Sequence, residues 1–334
     1  MILQSNRSKG LGLLWGWVLV AVLFLSSNVY GYADTTWLSV WNAYTNFDGS
    51  NEHAIIRGIR LPRAVVASLV GSALAMAGAL MQALTRNPMA SPGVLGINAG
   101  ASFFIVAGVA FFSVTSQSEF VWLALGGAAA AAVSVYFVGS VGLEGMTPLK
   151  LTLAGATMSA LFLSFSSSIL VSSEGTLDNV LLWLAGSVEG RSMDNVLPVL
   201  PLFAIGYALA LSLGKAMNVI SVGEDVAKGL GQHTFRVKLL SLFVVVLLAG
   251  GSVSVAGPIG FVGLIIPHVA RGLVGIDHRW TIPYCGVLGS ALLLGADISA
   301  RFVAFPKEVP VGVMTAILGA PFFIYLARKE LMGK

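Results

Sequence analysis

Apolar residues occur in long runs along most of the chain, and short polar segments or Gly and Pro residues separate these runs. About 20 consecutive apolar residues is the length of an α-helix that crosses a lipid bilayer. Dividing the runs at their breaks predicts ten membrane-spanning helices. Their predicted bounds are about 11–30, 62–84, 93–113, 119–141, 149–171, 196–214, 239–256, 258–274, 281–297 and 310–327.

The composition agrees with this pattern. Hydrophobic residues make up 56% of the 334 residues and charged residues only 10%, whereas soluble proteins carry roughly 25% charged residues. A soluble fold exposes too much of its chain to water to hide so much apolar surface. The sequence therefore predicts an all-α membrane protein in which residues 1–334 form a single polytopic domain. The lone Cys285 excludes an internal disulfide.

The basic residues predict the orientation of the chain. If the N-terminus is cytoplasmic, 13 of the 19 Lys and Arg residues lie on the inner side and six on the outer side. This is the asymmetry that the positive-inside rule describes, so we expect both termini to be cytoplasmic. The six basic residues on the predicted outer side are Arg57, Arg60, Arg63, Arg191, Arg301 and Lys307.

Three of the outer arginines form a candidate interaction site. Arg60 and Arg63 flank Pro62, which suits the first turn of a helix, so their side chains are expected to point in similar directions. Arg301 is expected on the same side, with Asp297 four residues earlier as a local ion-pair partner. One interpretation is that the guanidinium groups reach lipid headgroups. The functional interpretation is docking of an acidic external partner through forked contacts with carboxylates.

Small residues recur at four-residue intervals in two predicted helices. This spacing lets helix backbones approach closely and gain van der Waals contact in lipid. The sequence therefore predicts a tightly packed bundle. The two stripes consist of Ala67, Gly71, Ala75, Ala79 and Ala83 in the second helix, and Gly126, Ala130 and Ser134 in the fourth.

Two segments contain prolines that interrupt helices. Residues 86–93 include Pro88 and Pro92, which forbid a continuous helix. This pattern predicts either a rigid inner constriction or a plain tight loop. In the segment 257–268, Pro258 and Pro267 predict two breaks at membrane depth. His268 is interpreted as a packing residue, with a proton relay as the alternative.

The longest inner loop extends from about Lys215 to Lys238. Val222, Val226 and Leu230 lie at helical spacing within it, beside the acidic pair at 224–225. This pattern predicts a short amphipathic helix at the cytoplasmic surface. The acidic pair disfavours anionic lipid, so a groove on a soluble partner is the favoured contact.

Motifs of enzymes and ATP-binding subunits are absent from the sequence. It contains no Gly-x-x-x-x-Gly-Lys-Ser/Thr phosphate loop, and neither His-Glu-x-x-His nor Gly-x-Ser-x-Gly. We therefore expect no catalytic residues, metal site or bound cofactor in this chain. No predicted span carries a row of acidic residues, which disfavours a transporter driven by an ion gradient.

Several separated blocks occur in a characteristic order between about residues 55 and 328. They are Arg60-Leu61-Pro62-Arg63, Arg86-Asn87-Pro88-Met89-Ala90, Pro92-Gly93-Val94-Leu95-Gly96, Gly257-Pro258-Ile259-Gly260-Phe261-Val262-Gly263-Leu264, Asp277-His278-Arg279, Ala296-Asp297, Glu308-Val309-Pro310-Val311-Gly312 and Gly319-Ala320-Pro321. Together they resemble the permease family of ferric-siderophore and cobalamin ABC importers, known as the FecCD or BtuC-like family.

The resemblance implies a type II ABC importer permease fold of about ten helices, in a bacterial plasma (inner) membrane. It implies that two permease subunits, identical or paralogous, enclose the path for cargo. Two separate ATPase subunits are expected to bind ATP and magnesium, and an extracytoplasmic substrate-binding protein to deliver the cargo. The expected cargo is a ferric siderophore, with cobalamin or haem as the alternative. Membrane lipid surrounds such a subunit, and no nucleic acid partner is expected.

The family's functional positions carry over to individual residues. The match at the second gate, Met146-Thr147-Pro148-Leu149, is looser than elsewhere. The resemblance implies binding-protein docking at Arg60, Arg63 and Arg301, ATPase coupling at Gly223, Glu224, Ala227, Leu230 and Gly231, and a cytoplasmic gate at Asn87, Met89, Thr147 and Pro148.

Overall fold

The structure is a computed structural model that describes residues 2–31, 35–141, 147–305 and 307–332. The predicted second-gate segment begins at Met146, which lies outside these residues. Within them the regular structure is helical, as expected where lipid leaves backbone groups to be satisfied inside their own segment. The helices are α1 (Asn6–Val29), α2 (Trp37–Thr45), α3 (Asn51–Ile55), α4 (Leu61–Thr85), α5 (Ile97–Phe112), α6 (Gln117–Ser140), α7 (Pro148–Ser172), α8 (Glu174–Leu184), α9 (Met193–Val196), α10 (Leu200–Ser212), α11 (Gly214–Val222), α12 (Glu224–Gly229), α13 (Thr234–Val245), α14 (Gly251–Ala256), α15 (Val262–Val274), α16 (His278–Val303) and α17 (Val311–Met332).

Six helical segments are long and apolar enough to cross a membrane. They are α1, α6, α7, α16, the segment Asn51–Thr85 that ends in α4, and Thr234–Ala256, which joins α13 to α14. Helices α10 and α11 form a bent pair with an angle of 53°, and α5, α15 and the described part of α17 are shorter apolar helices. Each predicted span coincides with one of these segments. The number of ten crossings stays a prediction.

The proline breaks agree with the sequence in two places and differ in one. Helix α4 ends at Thr85, and irregular backbone continues to a 3-10 turn at Pro92–Leu95. Residues 257–261 separate α14 from α15. The second predicted break in that region is wrong, because Pro267 lies inside α15. The ring of His268 packs edge-on against Phe322, with 5.7 Å between ring centroids.

Helix α4 is the buried centre of the fold. In the segment Asn51–Thr85, which ends in α4, 78% of the most apolar stretch is buried. The corresponding shares are 11% for α1 and 22% for α7. It packs along α16 and also against α15 and α1. A Cβ atom on Gly71 would lie 2.3 Å from the carbonyl oxygen of Gly289, and one on Gly78 only 1.9 Å from that of Gly263. Glycine is therefore required at both crossings. Gly71 belongs to the predicted packing stripe, whose five members are all buried, so that prediction is confirmed, whereas Gly78 lies outside the stripe.

The predicted stripe of α6 is wrong by one position. Gly126 is exposed, and a Cβ atom there would meet nothing within 4 Å. The contact with α5 uses the next face, where a Cβ atom on Gly127 would lie 2.4 Å from the carbonyl oxygen of Gly100. A Cβ atom on Gly100 would in turn lie 2.5 Å from that of Ala131. Small residues occupy two adjacent faces of α6, so their spacing alone does not show which face packs against α5.

Candidate functional site

The three arginines with a predicted docking role converge at one end of the bundle, the predicted outer end. Arg60 ends a π-helical turn, Arg63 lies in the first turn of α4, and Arg301 lies in the last turn of α16. Their exposed fractions are only 4%, 6% and 4%. A buried guanidinium needs partners because desolvation of an unpaired charge is costly, and each of the three has them.

A buried carboxylate joins two of these arginines. Asp297 is fully buried, and the Nε and Nη2 atoms of Arg63 both lie 2.8 Å from its Oδ1 atom. Arg301 donates from Nη2 to its Oδ2 atom at 2.5 Å, and Arg63 Nη1 lies 2.5 Å from Glu308 Oε2. The predicted local pair between Asp297 and Arg301 is confirmed. Two guanidinium groups and two carboxylates balance one another, as burial of charge requires.

Arg60 and Arg301 also hold the end of α1. Arg60 Nη1 donates to the carbonyl oxygens of Asn28 at 3.0 Å and Val29 at 2.6 Å. Arg301 Nη1 donates to those of Ser27 at 2.7 Å and Tyr30 at 2.5 Å. The last carbonyls of a helix lack partners within it and form the negative end of its dipole. Both arginines therefore cap α1 electrostatically.

This arrangement differs from the picture of three arginines that face an external partner. The guanidinium groups of Arg60, Arg63 and Arg301 are buried and bonded within the chain. The neighbouring Arg57 is exposed instead. Its guanidinium carbon lies 4.5 Å from the ring centroid of Phe47, so cation–π attraction keeps it at the surface.

The two predicted gate segments lie together at the opposite end of the bundle. The side-chain oxygen of Asn87 accepts the backbone N–H of Met89 at 2.9 Å. Thr147 is the N-cap of α7, and Pro148 occupies its first position, where a missing N–H has no cost. Thr147, Pro148 and Leu84 line a cavity of about 20 Å³. The start of α7 therefore lies beside the end of α4.

The loop with the predicted coupling role contains the short helix α12, as expected. Within α12 the side chain of Ala227 is fully buried. Gly231, with a left-handed φ of 79°, follows the end of the helix. The side chains of Val222, Val226 and Leu230 are exposed by 72%, 49% and 70%. They form an exposed apolar patch, which is the kind of surface that marks a protein contact.

Ion pairs hold the loops at this end. Glu224 lies 2.6 Å from Lys238 and 3.4 Å from Lys228. The hydrogen bond from Lys238 keeps the pKa of Glu224 below its ordinary value, and Lys228 contributes in the same direction. Hydrogen bonds from Arg279, and then Asn218, hold the pKa of the Asp277 carboxyl, which caps α16, far below its usual range. Both carboxylates are therefore ionised at neutral pH.

One face of α7 carries a stripe that the sequence analysis missed. Its members are small or hydroxyl-bearing, are exposed, and lie four residues apart. The hydroxyl groups of Thr152, Ser168 and Ser172 each donate to the carbonyl oxygen four residues earlier. The signal in the sequence is the four-residue recurrence. The stripe consists of Thr152, Ala156, Ala160, Ser164, Ser168 and Ser172.

Similarity to known proteins extends along the whole chain. Residues 19–329 match the FecCD transport family. The "Probable siderophore transport system permease protein YfiZ" of Bacillus subtilis (strain 168) is 53% identical, over 98% of this chain and 99% of the relative. The ferric enterobactin transport system permease protein FepD of Escherichia coli (strain K12) is 42% identical over 88% of each chain. A solved metal-chelate type ABC transporter in an inward-facing conformation has a TM-score of 0.83 at 28% identity, over 96% of this chain and 99% of that chain.

Proposed function

The chain belongs to the FecCD transport family and is a multi-pass permease subunit of an ABC importer, and on that premise we propose that its cargo is a ferric siderophore. The observation that carries the proposal is 53% identity, along almost the full length, to a protein named for siderophore transport. A permease of this family works with ATPase and substrate-binding partners. ATP hydrolysis therefore takes place in the partner subunits and not in this chain.

We propose the following assembly for these partners. A second permease subunit, identical or paralogous, pairs with this chain, and two ATPase subunits bind ATP and magnesium. The predicted excess of basic residues on one side supports an orientation with both termini in the cytoplasm, and the bacterial relatives support a bacterial plasma membrane location. Closure of the ATPase subunits moves α12 and reorients the helices as rigid bodies.

The exposed face of α7 is proposed to line the path for cargo. The stripe places hydroxyl-bearing side chains such as those of Ser168 and Ser172 on an exposed part of the helix. Each donates to its own helix, which leaves a weakly polar surface with no charged side chain on the stripe. Such a wall lets a bulky cargo pass without a tight binding site.

The ATPase contact is proposed at the apolar patch of Val222, Val226 and Leu230. Glu224 anchors this patch to α13 through Lys238, so movement of α12 is transmitted to a membrane-spanning helix. The gate is proposed at Asn87 and Met89 with Thr147 and Pro148, at the same end of the bundle as this loop.

The binding protein is proposed to dock at the opposite end, but with Arg57 as its direct contact in place of the three arginines expected from the sequence. Arg57 offers an exposed guanidinium, while Arg60, Arg63 and Arg301 act beneath it. Asp297 and Glu308 pair with Arg63 and Arg301, which leaves Arg57 as the exposed cation of this region. An acidic protein surface is attracted to such a region, chiefly through a faster association rate.

Transport of the proposed cargo can be measured directly. The complete importer is expressed in cells that lack their own siderophore permeases, and uptake of a radioiron-labelled siderophore is followed with and without excess cobalamin. We expect ATP-dependent uptake that cobalamin does not inhibit. Uptake of cobalamin, with no uptake of iron from any hydroxamate, catecholate or citrate chelate, would refute the proposed cargo.

The docking proposal has its own test with a matched control. Arg57→Glu should slow association of the binding protein with the importer, most strongly at low salt, because the exposed charge steers the encounter. Lys307→Glu reverses an exposed charge of the same sign on the same side and should have a smaller effect. Equal association rates for both variants and the original chain, measured by surface plasmon resonance, would remove Arg57 from docking.

A further inference from the structure

A cavity at the predicted outer end has no role in the functions described above. Its volume is about 650 Å³, which lies within the range of small-molecule sites. It is bounded by the turn between α5 and α6, the loop between α8 and α9, and the segment before α17. The side chains at its wall include Thr115, Gln117, Trp183, Arg191 and Glu308.

Arg191 is a buried cation at this cavity. Its exposed fraction is 7%, and its Nε atom donates to the carbonyl oxygen of Ser187 at 3.2 Å. Among the described residues no carboxylate forms an ion pair with it, in contrast to the paired Arg63 and Arg301. Burial lowers the pKa of Arg191 to about 10, so the side chain still carries its charge at neutral pH. Both Nη groups are available for a forked contact.

Trp183 supplies a second donor at the same wall. It is 4% exposed, and its Nε1 atom is buried without a hydrogen-bond partner in the described part of the chain. An indole N–H can only donate, and an unsatisfied buried donor costs free energy. Two side chains, each more than nine-tenths buried, therefore line one cavity, and the described residues supply no acceptor for the Nη groups of Arg191 or for Nε1 of Trp183.

The other polar groups at this wall include two that are already engaged and an exposed carboxylate. Glu308 Oε2 lies 2.5 Å from Arg63, and the side-chain oxygen of Gln117 accepts from Asn195 at 2.9 Å. Glu189 is exposed. The hydrogen-bonding capacity left inside the cavity is therefore mainly that of Arg191 and Trp183, and it suits a ligand with negatively charged oxygen atoms.

We propose that this cavity is a transient site for the anionic oxygen atoms of an iron chelate, with Arg191 as its charged donor and Trp183 Nε1 as its neutral donor. The inference rests on the proposed function, since it assumes an iron chelate as cargo. A carboxylate or catecholate chelate has outward oxygen atoms that a guanidinium contacts in pairs. An uncharged tris-hydroxamate chelate offers no such charge, so the site discriminates by charge. An acidic segment of the binding protein is the rival occupant.

The test uses the assembled importer in nanodiscs, with ferric citrate as the anionic probe. Ferric chelates quench nearby indole fluorescence, and the difference between the original importer and its Trp183→Phe variant isolates the signal of Trp183. We expect saturable quenching that Arg191→Gln weakens by roughly tenfold to a hundredfold, the range expected for loss of a charge-assisted contact. Arg191→Lys should retain part of the affinity, and Lys307→Gln all of it.

A purely structural role would give a different result. Arg191 has no ion pair to lose within the described residues, and only the hydrogen bond to Ser187 is removed, so Arg191→Gln should lower the thermal midpoint of the complex only slightly. A lowered midpoint with unchanged ferric citrate affinity would overturn the site. So would absence of saturable quenching in the original importer, or an equal effect of Arg191→Gln on an uncharged tris-hydroxamate chelate.

Two further outcomes separate the rival explanations. If Arg191→Gln weakens binding-protein affinity but leaves the ferric citrate titration unchanged, the cavity receives the binding protein and the proposal is overturned. If Arg191→Gln weakens ferric citrate binding although the importer transports no iron chelate in cells, the anion site stands and the proposed function fails.

Discussion

Replacement of Asp297 by Asn is the most informative perturbation of the arginine cluster. The Asp297 carboxylate is fully buried and bonds the guanidinium groups of both Arg63 and Arg301. Removing one partner of a buried ion pair costs about 3–5 kcal/mol, because the other charge stays buried. Arg63 keeps Glu308 as a partner at 2.5 Å. The loss therefore falls mainly on Arg301, and we expect destabilisation of about 3 kcal/mol.

The assay is denaturant-induced unfolding of the purified chain in detergent, followed by tryptophan fluorescence. Asp194→Asn makes the same chemical change at an exposed carboxylate and should have almost no effect on the unfolding midpoint. The double variant Asp297→Asn with Arg301→Met removes the orphaned charge and should recover part of the lost stability. Equal midpoints for Asp297→Asn and Asp194→Asn would refute the idea that this network holds the predicted outer end together.

Three other predictions concern packing, pH and coupling. Gly78→Ala should disrupt folding, because its Cβ atom would lie 1.9 Å from a backbone oxygen, whereas Gly126→Ala enters open space and should be tolerated; expression and gel filtration compare the two. Since the pKa of Glu224 is lowered in the folded chain, its stabilising effect is complete above the ordinary carboxyl pKa and is lost as pH falls through the lowered value. The protection of α12 amides, expressed relative to the intrinsic exchange rate at each pH, should therefore decrease below about pH 4, and Glu224→Gln should abolish that decrease. Glu224→Ala, which frees Lys238, should leave ATP hydrolysis active but reduce uptake per ATP; an unchanged ratio would exclude a coupling role.

The membrane-spanning segments were the part of the fold that the sequence predicts best. An apolar run has one stable solution in lipid, a helix with all backbone groups bonded internally. Breaks such as the one after Thr85 follow from proline, which removes a donor and blocks the preceding turn. The break expected at Pro267 is wrong because a proline near the start of a helix displaces few internal bonds. In α15 it lies in the second turn.

Contacts between distant segments were less accessible to sequence reasoning. Arg63 and Asp297 are 234 positions apart, and nothing in the spacing of either residue indicates that they meet. Asp297 has an obvious local partner in Arg301, which makes a second one appear unnecessary. A signal does exist, since Arg63 on the predicted outer side departs from the positive-inside rule, and a charge that becomes buried needs a partner.

The faces of α6 illustrate a second limit. Small residues occupy adjacent positions at 126 and 127, and both satisfy a four-residue spacing. Only Gly127 meets α5, because the neighbouring Gly100 and Ala131 complete the interface. The direction in which a helix turns its small residues depends on its neighbours, and one sequence contains no direct record of them.

Reconstitution shows whether this permease takes its energy from separate ATPase subunits and receives its cargo from a separate binding protein. Proteoliposomes that contain the permease with its partner subunits are loaded with ATP, and accumulation of a radioiron-labelled siderophore is followed after addition of the binding protein. We expect accumulation against a gradient only when all components and ATP are present. Concentration of the siderophore by this chain alone, driven by a proton or sodium gradient without ATP, would contradict it.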